Sequence, residues 1–320
     1  MSERAKQGKT IAAIDIGTNT VHMMVVRLGM KTGAFEIVGK KKEYVRLGEY
    51  ARRGNAMTRA VMKRAVETLG RCKIIADFHH AEILAVATSA VREASNRREF
   101  LRSVRRATGI RVRVISWREE ARLIYLGVLQ ALPVYTTKVL VVDIGGGSTE
   151  FLIGKKGKPL FAKSLKLGAV RLTQRYFRRG RVSLRAIERC RLSILSALKG
   201  VRRAVDKETY DLVVGTSGTI VAFAKAGQIV QRKDRQAGIN GHKLSKRTVQ
   251  TVIRHIIDAS LRKRGASFEG LDQRRAEIML AGSLILEQIF KQLNLRKIVV
   301  SKYAIREGVV QDVLETSHRR

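Results

Sequence analysis

A chain of 320 residues with 64 Lys and Arg against 27 Asp and Glu carries a formal charge of +37, so its surface attracts polyanions. Its length and 45% hydrophobic content provide for two domains of ordinary size. Cys72 and Cys190 stand far apart with no CxxC pair, so neither a disulfide framework nor a zinc site is indicated. The polar start MSERAKQGKT lacks a signal-peptide core, and no apolar run nears the roughly 20 residues that span a bilayer. A reduced cytoplasm is the expected compartment, with no membrane partner. The charge is uneven: residues 1–150 hold 27 basic and 14 acidic side chains, a net +13, and residues 151–320 hold 37 and 13, a net +24. The later half is therefore expected to carry more of the anion-attracting surface.

In chain order, Ile11 to Ile14 is an apolar strand running into Asp15-Ile16-Gly17-Thr18-Asn19-Thr20, and Val21 to Val26 is a returning strand. Phe35 to Val38 and Glu43 to Val45 read as further strands, with Lys40-Lys41-Lys42 between them as a solvated turn. Helical spacing of Val61, Met62, Ala65, Val66 and Leu69 predicts a helix over 58–78 with Thr58 as its N-cap. A buried strand, Ile83 to Ala87, then meets Thr88-Ser89-Ala90 and a short helix bearing Arg92, a setting suited to a phosphate. Ser116 caps the helix that carries Glu119 and Glu120. Helix-dipole complementarity is the plain explanation of those two glutamates.

Val139 to Gly154, VLVVDIGGGSTEFLIG, repeats the first hairpin 128 positions later: strand, Asp-Ile-Gly, polar turn, strand. Three consecutive glycines let backbone approach a ligand closely and adopt positive φ, so that successive N–H groups line an anion cradle. Neither hairpin is a P-loop, because the glycines lie between two strands and do not open a helix after Gly-Lys-Ser/Thr. Val170 to Val205 is helix-rich, and Asp211 to Val214 is a strand entering the small-residue turn Gly215 to Thr219. Residues 228–246 read as a loop, followed by helices near 246–262 and 272–293, a last strand at Ile298 to Ser301 and a terminal helix opened by Arg306-Glu307-Gly308.

A doubled phosphate hairpin within α/β halves is the architecture of actin, Hsp70 and the sugar kinases. The segments AAIDIGTNTVHMMV, RLGE, AVATSAVREA, VISWREEARLIYLGV, VVDIGGGSTE, VVGTSGT, INGHKL, RAEIMLAGSLIL and IREG resemble, in order and spacing, the exopolyphosphatase and guanosine pentaphosphate phosphohydrolase family. The match runs from about Ile11 to Val313, and the pairing of EEAR with DIGGGSTE is its most specific part. Tyr50 in place of a glycine after RLGE, Glu269 in place of a proline, and Glu277 in place of an aspartate depart from the pattern.

The resemblance implies an α/β fold of two actin-like, ribonuclease H-like domains with a central interdomain cleft, in the short form of the family. The domains are expected at 1–128 and 129–320, with a terminal helix of about 303–320 packing back on the first. It also implies a hydrolase with Mg²⁺, or Mn²⁺, that removes terminal phosphates from inorganic polyphosphate or acts on guanosine pentaphosphate, with a homodimer as its assembly. By similarity Glu120 is the general base. Asp143 and Glu150 are the metal ligands, and Asp15 is either a third ligand or a structural aspartate serving its own turn. Thr18, Asn19, Arg92, Gly145, Gly146, Gly147, Ser148 and Thr149 are the phosphate-binding set. Two other readings remain open: polyanion or alarmone binding without turnover, and phosphoryl transfer to ADP. Aromatics at 5% and the absence of an RNA-binding signature argue against a specific nucleic-acid module.

Overall fold

The computed structural model describes residues 9–29, 35–49, 55–231, 238–262 and 273–317. The sequence departures at Tyr50 and Glu269 lie outside these. The chain divides into two compact units, one formed by residues up to Leu123 together with Ile305 onward, the other by Ile124–Ala304. The division falls inside a helix, between Leu123 and Ile124, rather than after residue 128.

The first unit is built on β1 (Thr10–Ile16), β2 (Thr20–Leu28), β3 (Phe35–Tyr44), β4 (Glu82–Ala87) and β5 (Val112–Val114). They form one sheet in the order β3-β2-β1-β4-β5, antiparallel on the β3 side and parallel from β1 onward. β1 is almost continuously apolar because both its faces are covered. Its helices are α1 (Arg59–Phe78), α2 (Ser89–Glu93), α3 (Arg97–Thr108) and the start of α4 (Trp117–Ala131). Thr58 caps α1 by accepting from the Val61 N–H at 3.3 Å. The core joins Ile14, Met23 and Val25 of the sheet to Leu69 of α1 and Phe100 and Val104 of α3.

The lysine run does not form a turn. β3 passes unbroken through Lys40, Lys41 and Lys42, with its register shift against β2 lying at Val25/Val26. β3 is an edge strand, where charge is tolerated and guards against pairing with another chain, so the local charge pattern concealed a strand.

The second unit contains β6 (Val139–Ile144), β7 (Thr149–Lys155), β8 (Lys158–Leu165), β9 (Leu212–Thr216), β10 (Lys243–Ser245) and β11 (Lys297–Val300). Its sheet order is β10-β11-β9-β6-β7-β8. Read from its meander, β8-β7-β6-β9-β11 reproduces β3-β2-β1-β4-β5, with β6/β9 and β11/β9 parallel as in the first unit. The repeat seen in the two hairpins is thus a repeat of a whole sheet. Around it lie α5 (Ala169–Tyr176), α6 (Leu184–Asp206), α7 (Ser217–Val230), α8 (Lys246–Leu261) and α9 (Gln273–Gln292). Part of the expected 228–246 loop is therefore the end of α7 and the strand β10. The last helix, α10 (Ile305–Ser317), belongs to the first unit. Among the described residues no helix is long and apolar enough to cross a membrane.

Candidate active site

In the first unit the turn between β1 and β2 is closed by Gly17 N–H donating to the Thr20 carbonyl at 3.0 Å. The carbonyls of Thr18 and Asn19 accept from Gly48 and Arg46 N–H groups, and the hydroxyls of Thr18 and Ser89 meet at 2.9 Å. That last contact joins the hairpin to the start of α2. One turn along, Arg92 Nη1 donates to Glu120 Oε2 at 2.8 Å and to the Ile115 carbonyl at 3.0 Å. Glu120 sits in the first turn of α4, where Ser116 accepts from the Glu119 N–H through its side chain and from the Glu120 N–H through its carbonyl. Only 5% of Glu120 is exposed. Burial raises its pKa, while the charge and hydrogen bond of Arg92 pull it down and the nearby Glu93 adds to the rise. Arg92, expected as a phosphate grip, is in this structure the group that holds and tunes the glutamate.

Asp15, at the end of β1, is pushed up from 3.8 to about 7. Desolvation is the largest cause; Arg306 opposes it, and the charges of Glu120 and Glu307 add to it. Its Oδ1 is buried and has no hydrogen-bond partner, as is Asn19 Nδ2. Such orphaned polar atoms are uncommon in proteins and mark sites built for something other than stability.

In the second unit the loop between β6 and β7 is closed by the equivalent bond, Gly145 N–H to the Ser148 carbonyl at 2.9 Å. The carbonyls of the glycines are all tied to the start of α5. Gly145 accepts from Ala169 at 3.0 Å, Gly146 from Val170 at 2.9 Å and Arg171 at 3.1 Å, and Gly147 from Arg171 Nε at 2.8 Å. In a trans peptide the N–H points opposite to the carbonyl it shares a plane with. The N–H groups of Gly146, Gly147 and Ser148 therefore all point away from α5, and among the described residues none meets an acceptor. Three consecutive amides facing one way have the geometry of an anion cradle.

The cradle does not arise as the sequence suggested. None of Gly145, Gly146 or Gly147 has a positive φ. What the loop demands is room: a Cβ on Gly168, the N-cap of α5, would lie 2.3 Å from the Gly146 carbonyl oxygen and 2.5 Å from the Gly147 carbonyl carbon. Thr149 is fully buried and its hydroxyl donates to the Leu167 carbonyl, so its side chain braces the loop.

Beside the cradle the register sets a polar row across four strands: Ser164 on β8, Glu150 on β7, Asp143 on β6 and Thr216 on β9. Side chains directly opposite one another share a face of the sheet. Glu150 Oε1 accepts from Ser164 at 2.8 Å, and Thr216 donates to the Tyr303 carbonyl at 2.9 Å. Asp143 and Glu150 are both buried. The corresponding row of the first unit is Lys42, His22, Asp15 and Val86. Two adjacent carboxylates on one sheet face suit a divalent cation, whereas the acidic groups that act on Asp15, Glu120 and Glu307, come from other elements. Among the described residues no three His, Cys, Asp or Glu side chains group closely enough to hold a metal alone.

The model of the Ppx/GppA phosphatase family matches residues 25–317. The chain belongs to the Ppx/GppA phosphatase family. A Haemophilus influenzae protein named "Putative exopolyphosphatase" is 30% identical over 304 residues, 94% of this chain and 90% of that one. The crystal structure of an exopolyphosphatase from Cytophaga hutchinsonii superposes with a TM-score of 0.87 at 28% identity, covering 96% of this chain and 98% of its own. An Aquifex aeolicus family member superposes at 0.78 with 29% identity, covering 97% and 99%. The α/β fold of this family is the fold expected from the doubled hairpin.

Within this Ppx/GppA chain, sequence reading missed Arg306 and Glu307, which stand in the first turn of α10 with Arg306 Nη2 3.3 Å from Glu307 Oε1. The IREG segment was visible, but nothing in it told that the fold returns it to Asp15. Gly168 and Ser164 were missed for the same reason, each being defined only by what it touches. The loop geometry yields a direct prediction. Gly168→Ala must displace the Gly146–Gly147 backbone and with it the three amides, costing about 1–3 kcal/mol of stability. Phosphate release should fall by more than the change in folded fraction explains, measured by urea unfolding beside turnover; wild-type turnover would refute the cradle.

Proposed function

We propose that the chain is an exopolyphosphatase, releasing orthophosphate from the end of inorganic polyphosphate by attack of water. The observation that carries this reading is the outward-facing amide cradle of Gly146, Gly147 and Ser148 beside the Asp143–Glu150 carboxylate pair. The names of full-length relatives and the net charge of +37, suited to a polyanionic substrate, support it.

Glu120 is the residue we assign as general base. It takes a proton from the attacking water at a carboxylate oxygen, the water oxygen bonds to the terminal phosphorus, and the bridging P–O bond breaks. The products are orthophosphate and a chain one phosphate shorter, and the proton on Glu120 returns to solvent or product. Arg92 orients the base and favours its ionised form against the burial that opposes it, and the cradle amides hold a phosphate in place. Phosphoryl transfer depends mostly on such positioning and charge neutralisation. Asp143 and Glu150 would hold the Mg²⁺, with Mn²⁺ as the alternative ion, since Mg²⁺ takes one or two protein carboxylates and completes its shell with water and phosphate oxygens. Bound there, it would neutralise phosphate charge. Asp15, with Arg306 and His22 as neighbours, is the weaker choice of ligand.

Phosphate release measured in parallel on long polyphosphate, tripolyphosphate and guanosine pentaphosphate, each with Mg²⁺ and with chelator, tests the reading. Long polyphosphate with Mg²⁺ is expected to be the best substrate, and chelation to abolish release. Preference for guanosine pentaphosphate would transfer the assignment to the nucleotide, and metal-independent release would remove the Asp143–Glu150 role.

A further inference from the structure

α3 carries RREFLRSVRRAT, with a single acidic residue, Glu99. Phe100 and Val104 are fully buried against the sheet, one turn apart, and fix which face is inward. Arg98, Arg102 and Arg105 then fall along one outward stripe with Arg106 beside it, a guanidinium for each turn of about 5.4 Å. All four are exposed. Among the described residues none of the four guanidiniums meets a carboxylate or other acceptor, although other arginines of the unit do, such as Arg64 with Glu49, Arg71 with Glu43 and Arg113 with Glu119.

The N-terminal end of α3 is tied to the residue that holds Glu120. Arg97 Nη1 donates to the Arg92 carbonyl at 3.2 Å, and Arg92 in turn holds Glu120. The turn between α2 and α3 is pinned, because Asn96 both accepts from the Met57 N–H at 2.9 Å and donates to its carbonyl at 3.0 Å. These bonds fix the end of α3 nearest in sequence to Arg92, and the four arginines follow along the helix from there. Repulsion among them is not relieved within the unit, which makes a bound polyanion the compensating partner.

We propose that this stripe is a docking track for the distal part of a long polyphosphate chain, an assignment that rests on the exopolyphosphatase reading. A substrate hydrolysed from its end must lead the remainder away from the base, and α3 offers a row of exposed cations on the unit that carries the base. The chemistry favours polyphosphate over RNA: the helix's one aromatic side chain, Phe100, is buried, so no stacking platform accompanies the charge.

The test is the variant R98Q/R102Q/R105Q/R106Q, whose exposed positions leave the core untouched; circular dichroism and thermal unfolding check its fold. Direct binding of end-labelled long polyphosphate is measured in chelator, so that binding is read whether or not hydrolysis occurs. The dissociation constant should rise at least about tenfold, and the slope of log affinity against log salt should become shallower by about 3, as expected when four phosphate contacts and their released counterions are lost. kcat/KM on tripolyphosphate should stay at the wild-type value. Unchanged long-chain affinity and salt slope would overturn the proposal, as would an equal loss on tripolyphosphate, or loss of RNA retention with polyphosphate binding intact. Long-chain binding through these arginines in a protein that releases no phosphate would retire the hydrolytic reading and leave the track standing.

Discussion

Glu120→Gln is expected to lower phosphate release from polyphosphate by about 10²–10⁴-fold, the contribution of a positioned general base, without loss of fold. Glutamine has nearly the shape of glutamate, and its carbonyl oxygen can still accept from Arg92 Nη1, which now lies 2.8 Å from Glu120 Oε2. What it cannot do is take a proton. A substitution that removes a buried ionisable group also removes the desolvation that raises this carboxyl's pKa, so the thermal midpoint should not fall. The accompanying change at Arg92 separates the base from a merely structural glutamate. Arg92→Met deletes both influences that pull the Glu120 pKa down. The acidic limb of the kcat profile should then move to higher pH, because the base stays protonated further up the scale. A glutamate serving only the helix terminus predicts neither the loss of turnover nor the moved limb. Wild-type turnover in Glu120→Gln would remove this residue from the chemistry.

The elements whose logic is local were legible in the sequence. Asp-Ile-Gly between two apolar runs occurs twice, and it marks two hairpins closed by the same turn bond. Thr58 announces α1 through the spacing of the apolar residues behind it. Lys40 to Lys42 misled because three charges in succession look like solvated turn, whereas an edge strand tolerates them. The residue types of the site were also legible, since carboxylates and a glycine run carry their chemistry in their names. Their physical states were not. Whether Gly145–Gly147 needed positive φ or close packing depended on α5 and Gly168. Thr149 turned inward because the Leu167 carbonyl offers its hydroxyl a partner. The charge of Arg306 acts on Asp15 from the other end of the chain, and no local pattern encodes an interaction across that separation.

Asp15→Asn is expected to flatten the pH dependence of stability. The Asp15 carboxyl has a pKa of about 7 in the folded protein and an ordinary value near 3.8 otherwise, so the folded state holds this proton more tightly than the unfolded chain does. Between about pH 4 and pH 7 the unfolded chain binds fewer protons, and the stability that Asp15 contributes below pH 4 is lost as pH rises through 7. The shift of roughly three pH units sets a ceiling of about 4 kcal/mol. Asparagine does not titrate, so the variant should match wild type near pH 4 and exceed it in urea midpoint at pH 8, both measured in chelator. Parallel midpoints across the range would show that Asp15 carries no burial penalty. If asparagine also lowers turnover, the carboxylate is kept at a cost in stability for its action in the site, as the orphaned Oδ1 and the nearby Arg306, Glu120 and Glu307 charges suggest. If turnover is unchanged while the midpoint rises, Asp15 serves neither the chemistry nor the fold, and the first hairpin acts on phosphate through Thr18 and Asn19 alone.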